Sequence, residues 1–147
     1  MAPVSGIVLP LSQAKDEAFA SEVMGKGVVI EPSDGKVYAP ADGIVTALFP
    51  TLHAIGITTD GGAEILIHVG IDTVRLNGEG FTAHIEQGDR IKTGDLLLEF
   101  DQKFIEEKKF STQTPVIVTN IANMKEIRIE MPEKIQAGKK LMSIVLD

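Results

Sequence analysis

Short apolar runs rich in valine and isoleucine alternate with glycine-centred turns along nearly the whole chain. Gly27–Ile30, Gly43–Leu48, Ala63–Val69 and Asp95–Phe100 are such runs. Ser33-Asp-Gly35, Ala41-Asp-Gly43, Asp60-Gly-Gly62, Asn77-Gly-Glu-Gly80, Gln87-Gly-Asp89 and Thr93-Gly94 punctuate them. Many short strands with regular turn signals predict an all-β fold, an antiparallel β-sandwich or flattened barrel. Two stretches depart from the strand pattern. Asp16–Glu22 predicts a short helix with Ser12 or Asp16 near its start. Asp101–Lys109 predicts a second helical excursion, its Glu106-Glu-Lys-Lys109 end a solvated face of mixed charge.

A faint internal echo runs through the chain. Ile85-Glu-Gln-Gly88 and Ile135-Gln-Ala-Gly138 each lead into a strand, and Ser33-Asp-Gly-Lys-Val37 matches Ala41-Asp-Gly-Ile-Val45. Their irregular spacing fits a folded-over sandwich of related hairpins better than a repeat array. No linker-like stretch divides the chain, so residues 1–147 are expected to form one domain.

The sharpest local expectation is a hairpin around Asp60-Gly61. A two-residue loop there pairs Thr59 with Gly62, and counting outward pairs His53 with His68. Directly opposed imidazoles would have their Cβ atoms roughly 5 Å apart. Alternation would then place His53, Ile55 and Ile57 on one face with His68, Leu66 and Glu64. Ile65, Ile67 and Val69 would face the core. A slip of one residue reverses this assignment. On this reading Ile55 and Leu66 ring the histidines on a partly open face, as a docking patch would.

Composition narrows the chemistry. The chain has no cysteine, no tryptophan, one tyrosine and six phenylalanines, with 44% hydrophobic residues. The core must be mostly aliphatic, and disulfide or thiol chemistry is excluded. A formal charge of −7 and the lack of a basic run argue against nucleic-acid binding and favour a basic protein surface as partner. No stretch reaches the roughly 18 apolar residues of a membrane span, and the first ten residues lack a signal-peptide pattern. A cytoplasmic domain without membrane insertion is the expectation. Two opposed histidines are compatible with ordinary strand packing. They also suit two chemistries: part of a zinc site, which needs three or four ligands, or a phosphoryl acceptor steadied by its neighbour.

Several blocks then carry a resemblance. They are Tyr38-Ala-Pro-Ala-Asp-Gly43, His53-Ala-Ile-Gly-Ile57, Ile65-Leu-Ile-His68-Val-Gly-Ile-Asp72-Thr-Val74 and Leu76-Asn-Gly-Glu-Gly-Phe81. Gly88-Asp-Arg-Ile-Lys-Thr-Gly94 and Ser111-Thr-Gln-Thr-Pro-Val-Ile-Val118 extend it over nearly the whole chain. The chain resembles the glucose-class enzyme IIA domain of the bacterial sugar phosphotransferase system. That resemblance implies a duplicated-hybrid-motif sandwich and a phosphoryl relay without a required cofactor. His68 matches the phosphoacceptor, which receives its group from the phosphocarrier HPr and passes it to a cysteine of a IIB domain. His53 matches the second histidine, needed for donation, and Thr51 the threonine that orients it. Asp72, Val74 and Phe49 fall in the implied docking surface. Arg75 stands where the pattern leads one to expect a glutamate.

Other signals point elsewhere. His84 has no evident partner and reads as a solvent-facing residue. His68-x-x-x-Asp72 is half of a zinc peptidase pattern, but the His-x-His half is missing. A zinc hydrolase is therefore a minor alternative, and zinc held by His53 and His68 with a partner's ligand is another. Met124-Lys125 resembles the turn of a biotinyl or lipoyl carrier, which would make Lys125 the attachment point of a swinging arm. Lys15–Ser21 is a candidate for packing beside the histidines.

Overall fold

In the computed structural model, which describes residues 1–120, 122 and 124–146, the apolar runs form antiparallel strands. In chain order these are β1 (Gly6–Pro10), β2 (Lys26–Pro32), β3 (Lys36–Tyr38), β4 (Gly43–Leu48), β5 (Ala54–Thr59), β6 (Glu64–His68) and β7 (Phe81–Ala83). There follow β8 (Arg90–Ile91), β9 (Leu96–Phe100), β10 (Thr114–Val118), β11 (Met124–Ile129), β12 (Lys134–Ile135) and β13 (Met142–Leu146). An eight-stranded sheet runs β12-β1-β2-β10-β6-β5-β4-β8, a three-stranded one β3-β9-β7, and β11 pairs with β13. Both edges of the large sheet are strands of only two residues.

The two larger sheets share an aliphatic core, as the near absence of large aromatics requires. Val28, Ile30, Val45, Ile55, Ile57, Ile67 and Val116 of the large sheet pack with Val37, Leu98 and Phe100 of the small one. Leu141, just before β13, is 1% exposed in the same cluster. Burial of these side chains, each contributing roughly 1.5–3 kcal/mol, dominates the stability of the sandwich.

The two helical excursions occur where expected, and acid caps start both. The Asp16 carboxylate accepts from Ala18 N at the head of α1 (Glu17–Ala20), and Asp101 accepts from Phe104 N at the head of α2 (Gln102–Glu107). Ser12 lies instead in a single 3-10 turn, Leu11–Gln13. The end of α2 is solvated, with Lys108 over the Phe104 ring at 5.6 Å. The echoed segments build the same turn. Asp89 N donates to Glu86 O and Lys139 N to Gln136 O, with Gly88 and Gly138 both left-handed at φ 96° and 91°.

The hairpin register differs from expectation by one residue. Ala54, not His53, lies opposite His68, and the ladder continues Ile55–Ile67, Gly56–Leu66, Ile57–Ile65 and Thr58–Glu64. The loop holds three residues: Thr59 N donates to Ala63 O, and Gly62 N to Thr59 O, at 2.9 Å each. Gly62 adopts φ 97°, the left-handed conformation that a three-residue hairpin needs at its last position. The second glycine thus selects the longer loop. The slip moves Ile55 and Ile57 to the core, at 0% and 1% exposure, alongside Ile67 and Val69. Small or polar residues Ala54, Gly56 and Thr58 take the face of Leu66 and His68. Ile55 therefore offers no docking surface.

Two further expectations change. His84 has a partner, its Nε2 standing 3.4 Å from Glu99 Oε1 on β9. Lys125 lies within β11 rather than at a turn tip, and Asn123 before it falls outside the described residues. Lys125 sits at an irregularity of the β11–β13 ladder, between the paired Met124 and Glu126, so it lies along a strand and not at the protruding tip of a turn.

Candidate functional site

Although the ladder does not pair them directly, the two imidazoles meet. Their centroids are 4.8 Å apart with planes at 82°, an edge-to-face contact. His68 is the last residue of β6, on the face opposite the main core. His53 reaches it because the chain bends before β5 begins. Leu52 is left-handed at φ 59° and closes a turn onto Phe49 O, so His53 is released from strict alternation. Its backbone still holds the hairpin, with Val69 N donating to His53 O at 2.7 Å.

Each ring is fixed through one nitrogen and left free at the other. His68 Nδ1–H donates to the carbonyl of Gly70, two residues on, at 2.7 Å. That bond selects the tautomer whose Nε2 carries the lone pair. His53 Nδ1 shares a hydrogen bond of 2.6 Å with the Thr51 hydroxyl. The Thr51 hydroxyl thus ties this ring down through Nδ1.

The Gly70 carbonyl is itself built into position. Gly70 is left-handed at φ 81°, and a Cβ there would lie 2.4 Å from Thr73 Cγ2 and 2.9 Å from Ser111 O. Thr73 is fully buried, and its hydroxyl donates to Val69 O. Ile71 N donates to Ser111 O at 3.1 Å. The turn after β6 is thus tied to its own start and to the segment entering β10.

Two phenylalanines flank the pair. Phe19 of α1 lies 5.1 Å from the His68 ring, and Phe49 lies 5.4 Å from His53, edge-on. Phe19 is 3% exposed and packs with Leu11, Leu66 and Ile117. This apolar setting disfavours the imidazolium. Burial, assisted by the neighbouring His68, pushes His53 down to about 4. Burial also lowers His68, opposed by its bond to Gly70 and by the charges of Asp16 and Asp72. Both rings are therefore neutral near pH 7, one a nucleophile and the other able to donate or accept.

Around this pair Phe49 and Val74 are 41% and 48% exposed, and Asp72 and Arg75 are also exposed. Asp72 is left-handed at φ 60° and starts the 3-10 turn Thr73–Leu76. Leu66 is half-buried. The roles of Gly70, Thr73 and Phe19 were not read from the sequence as such. The first two lie inside the His68-to-Val74 block and the third inside Lys15–Ser21, so the signal was their proximity to marked segments. Among the described residues no group of three or more His, Cys, Asp or Glu side chains could hold a metal, so the two histidines have no third ligand of their own. No helix among them is long and apolar enough to cross a membrane.

Comparison with known proteins supplies a family context. The model of a family described as phosphoenolpyruvate-dependent sugar phosphotransferase system, EIIA 1, matches residues 1–124. The glucose-specific EIIA component of Oceanobacillus iheyensis is 44% identical over 147 residues, covering 100% of this chain and 89% of that protein. The beta-glucoside-specific EIIBCA component of Halalkalibacterium halodurans is 50% identical over 142 residues, 97% of this chain. The chain spans only 22% of that longer relative. The solved structure of glucose permease IIA from Mycoplasma capricolum matches with TM-score 0.89 at 35% identity, covering 96% of this chain and 91% of that one.

Proposed function

The chain belongs to the EIIA 1 family of the phosphoenolpyruvate-dependent sugar phosphotransferase system, whose members are phosphoryl-transfer components of sugar uptake, and on that premise we propose that His68 is the residue that carries the phosphoryl group. The observation that carries this reading is the commitment of His68 Nδ1–H to the Gly70 carbonyl. Nε2 is left as a neutral, oriented nucleophile beside a second imidazole.

In acceptance, the Nε2 lone pair of His68 attacks phosphorus of the phosphorylated carrier HPr in line with the bond to its leaving group. The new N–P bond forms as the old one breaks, and the carrier leaves with the electron pair. In donation, a cysteine thiolate of a IIB domain attacks the same phosphorus, and His68 leaves as a neutral imidazole. Such transfers ask for positioning and charge stabilisation more than for acid–base chemistry. His53 supplies the stabilisation. With the Thr51 hydroxyl donating to its Nδ1, His53 carries its proton on Nε2 and donates it to a phosphoryl oxygen. Phe49, Leu66, Asp72, Val74 and Arg75 form the surface on which both partners dock, and the reaction requires no cofactor. Residues 1–147 act as one cytoplasmic domain, held together at the C-terminal side by β12 on β1 and by Leu141 in the core. Zinc at the histidines would need a ligand from a partner. The swinging-arm and zinc-hydrolase readings are not supported.

Incubation of the chain with phosphorylated HPr, followed by intact-mass measurement, tests the assignment. A single phosphoryl adduct is expected, absent from His68→Ala. Normal phosphorylation of His68→Ala would overturn it.

A further inference from the structure

Between β1 and β2 the chain makes an excursion over residues 11–22 that carries the 3-10 turn, α1 and Phe19. Its internal hydrogen bonds are all local: Ala14 N to Leu11 O, Phe19 and Ala20 N to Asp16 O, Ser21 N to Glu17 O and Glu22 N to Phe19 O. Among the described residues, its hydrogen bonds to the rest of the fold both run to one side chain, the amide of Gln113. Gln113 Oε1 accepts from Lys15 N at 2.8 Å, and Gln113 Nε2 donates to Gln13 O at 3.3 Å. Gln113 is 5% exposed, and its backbone N donates to Ser111 Oγ at 3.2 Å. Ser111 also supplies the carbonyl that holds Ile71, beyond Gly70. The same short segment before β10 therefore anchors both the turn behind His68 and the strap in front of it.

We propose that Gln113 is a positioning residue for phosphoryl transfer, latching the 11–22 strap so that Phe19 sits against the His68 ring. Only an uncharged amide meets both requirements there, because one end must accept and the other donate. Leu11 and Phe19 supply the strap's apolar grip on Leu66 and Ile117, and the amide fixes where along the sheet that grip falls. Through Phe19 the latch sets the ring's packing and the dryness of the side from which a donor approaches. The proposal rests on His68 being the phosphoryl carrier.

The test compares the parent chain with Gln113→Met, similar in shape but without the paired hydrogen bonds, and Gln113→Glu, which keeps an acceptor and loses the donor. Amide exchange at Lys15, Phe19–His68 ring NOEs, and KM and kcat for phosphorylated HPr are measured on each. In Gln113→Met, exchange at Lys15 should accelerate roughly tenfold or more, the effect of losing a net hydrogen bond from a local opening. The NOEs should weaken, and kcat should fall with the sheet amides as protected as in the parent. Gln113→Glu should show the same changes, with exchange at Lys15 the less affected. Unchanged NOEs and kinetics in both variants, or exchange that rises equally over the whole sheet while the Phe19–His68 contact persists, would overturn the proposal. If His68 is not phosphorylated in the parent, the functional reading fails separately, because exchange and NOEs still report on the latch.

Discussion

The two ends of the β5–β6 hairpin satisfy their polar groups in opposite ways. At the Asp60–Gly62 turn the carboxylates of Asp60 and Asp42 are both engaged. Arg90 donates to both oxygens of Asp60 at 2.5 Å, and Asp42 accepts from Thr93 N and Oγ1 at 2.7 and 3.0 Å. That end is exposed and ionic. At the other end, one buried ring and one half-buried ring are each bonded through one nitrogen to a neutral partner, Thr51 Oγ1 for His53 and Gly70 O for His68. Completed ion pairs hold a turn but have no capacity left for a substrate. Taking half-satisfied neutral rings out of water costs free energy, and what each retains is one ring nitrogen uncommitted, the two rings edge-to-face at 4.8 Å.

Disabling the second ring should have the largest effect on that contrast. His53→Ala should still accept a phosphoryl group on His68 but lose roughly 10²–10³ in the rate of donation to the IIB domain, the range for removing one stabilising donor. Quenched-flow with phosphorylated chain and purified IIB domain checks it. Equal losses in acceptance and donation would mean that His53 serves both steps alike.

Filling the space behind the first ring comes next. Gly70→Ala forces a Cβ onto Thr73 Cγ2 and into a left-handed backbone, and should destabilise the chain by about 2–4 kcal/mol. Acceptance by His68 should slow as its Gly70 contact shifts. Adding Thr73→Ser removes the clashing methyl and keeps the hydroxyl, so the double variant should recover part of the loss. Thermal denaturation and the ring ¹⁵N shifts of His68 follow both effects.

Acid separates the two ends by pH. His53 titrates at about 4 when folded against 6.5 when unfolded, so the unfolded state binds the extra proton first. Stability is therefore full above about pH 7 and falls as pH drops through 6.5 towards 4, by at most roughly 3 kcal/mol. Lowering of His68 by burial acts in the same direction. At the turn end, pairing to Arg90 depresses Asp60, and hydrogen bonds from Thr93 depress Asp42. Their stabilisation is present above 3.8 and is lost only as pH falls below it. Urea titrations from pH 8 to 3 should show the two windows, and His53→Gln should flatten the upper one selectively.

The smallest effect belongs to the turn itself. Asp60→Asn breaks an exposed ion pair and should lower Tm only slightly, by less at high salt than at low salt. A salt-independent loss would show that the turn depends on the shape of Asp60 rather than on its charge.

What the sequence disclosed follows the same division between local and non-local causes. Alternation and glycine turns revealed the strands, and Asp16 and Asp101 marked both helix starts, because these are short-range effects. The histidine pair was legible, but for a partly wrong reason. Reading Asp60-Gly61 as the whole loop ignored Gly62, and one residue of register sent Ile55 from a supposed docking face into the core. The bend at Leu52 then brought His53 back to His68, which no alternation rule foresees. Gln113 lies two residues beyond Ser111 in a marked block, yet a single buried glutamine has no periodicity to betray it. Its partners are about a hundred positions away.

The two-residue strands at both margins of the large sheet bear on how such a molecule keeps company. A partner cannot add a strand of its own at these two margins, where so few backbone groups are offered, so encounters along them rest on side chains. Contacts of that kind part readily. On the proposed function, a domain that takes a group from one protein and surrenders it to another is served by brief association, which blunted margins favour.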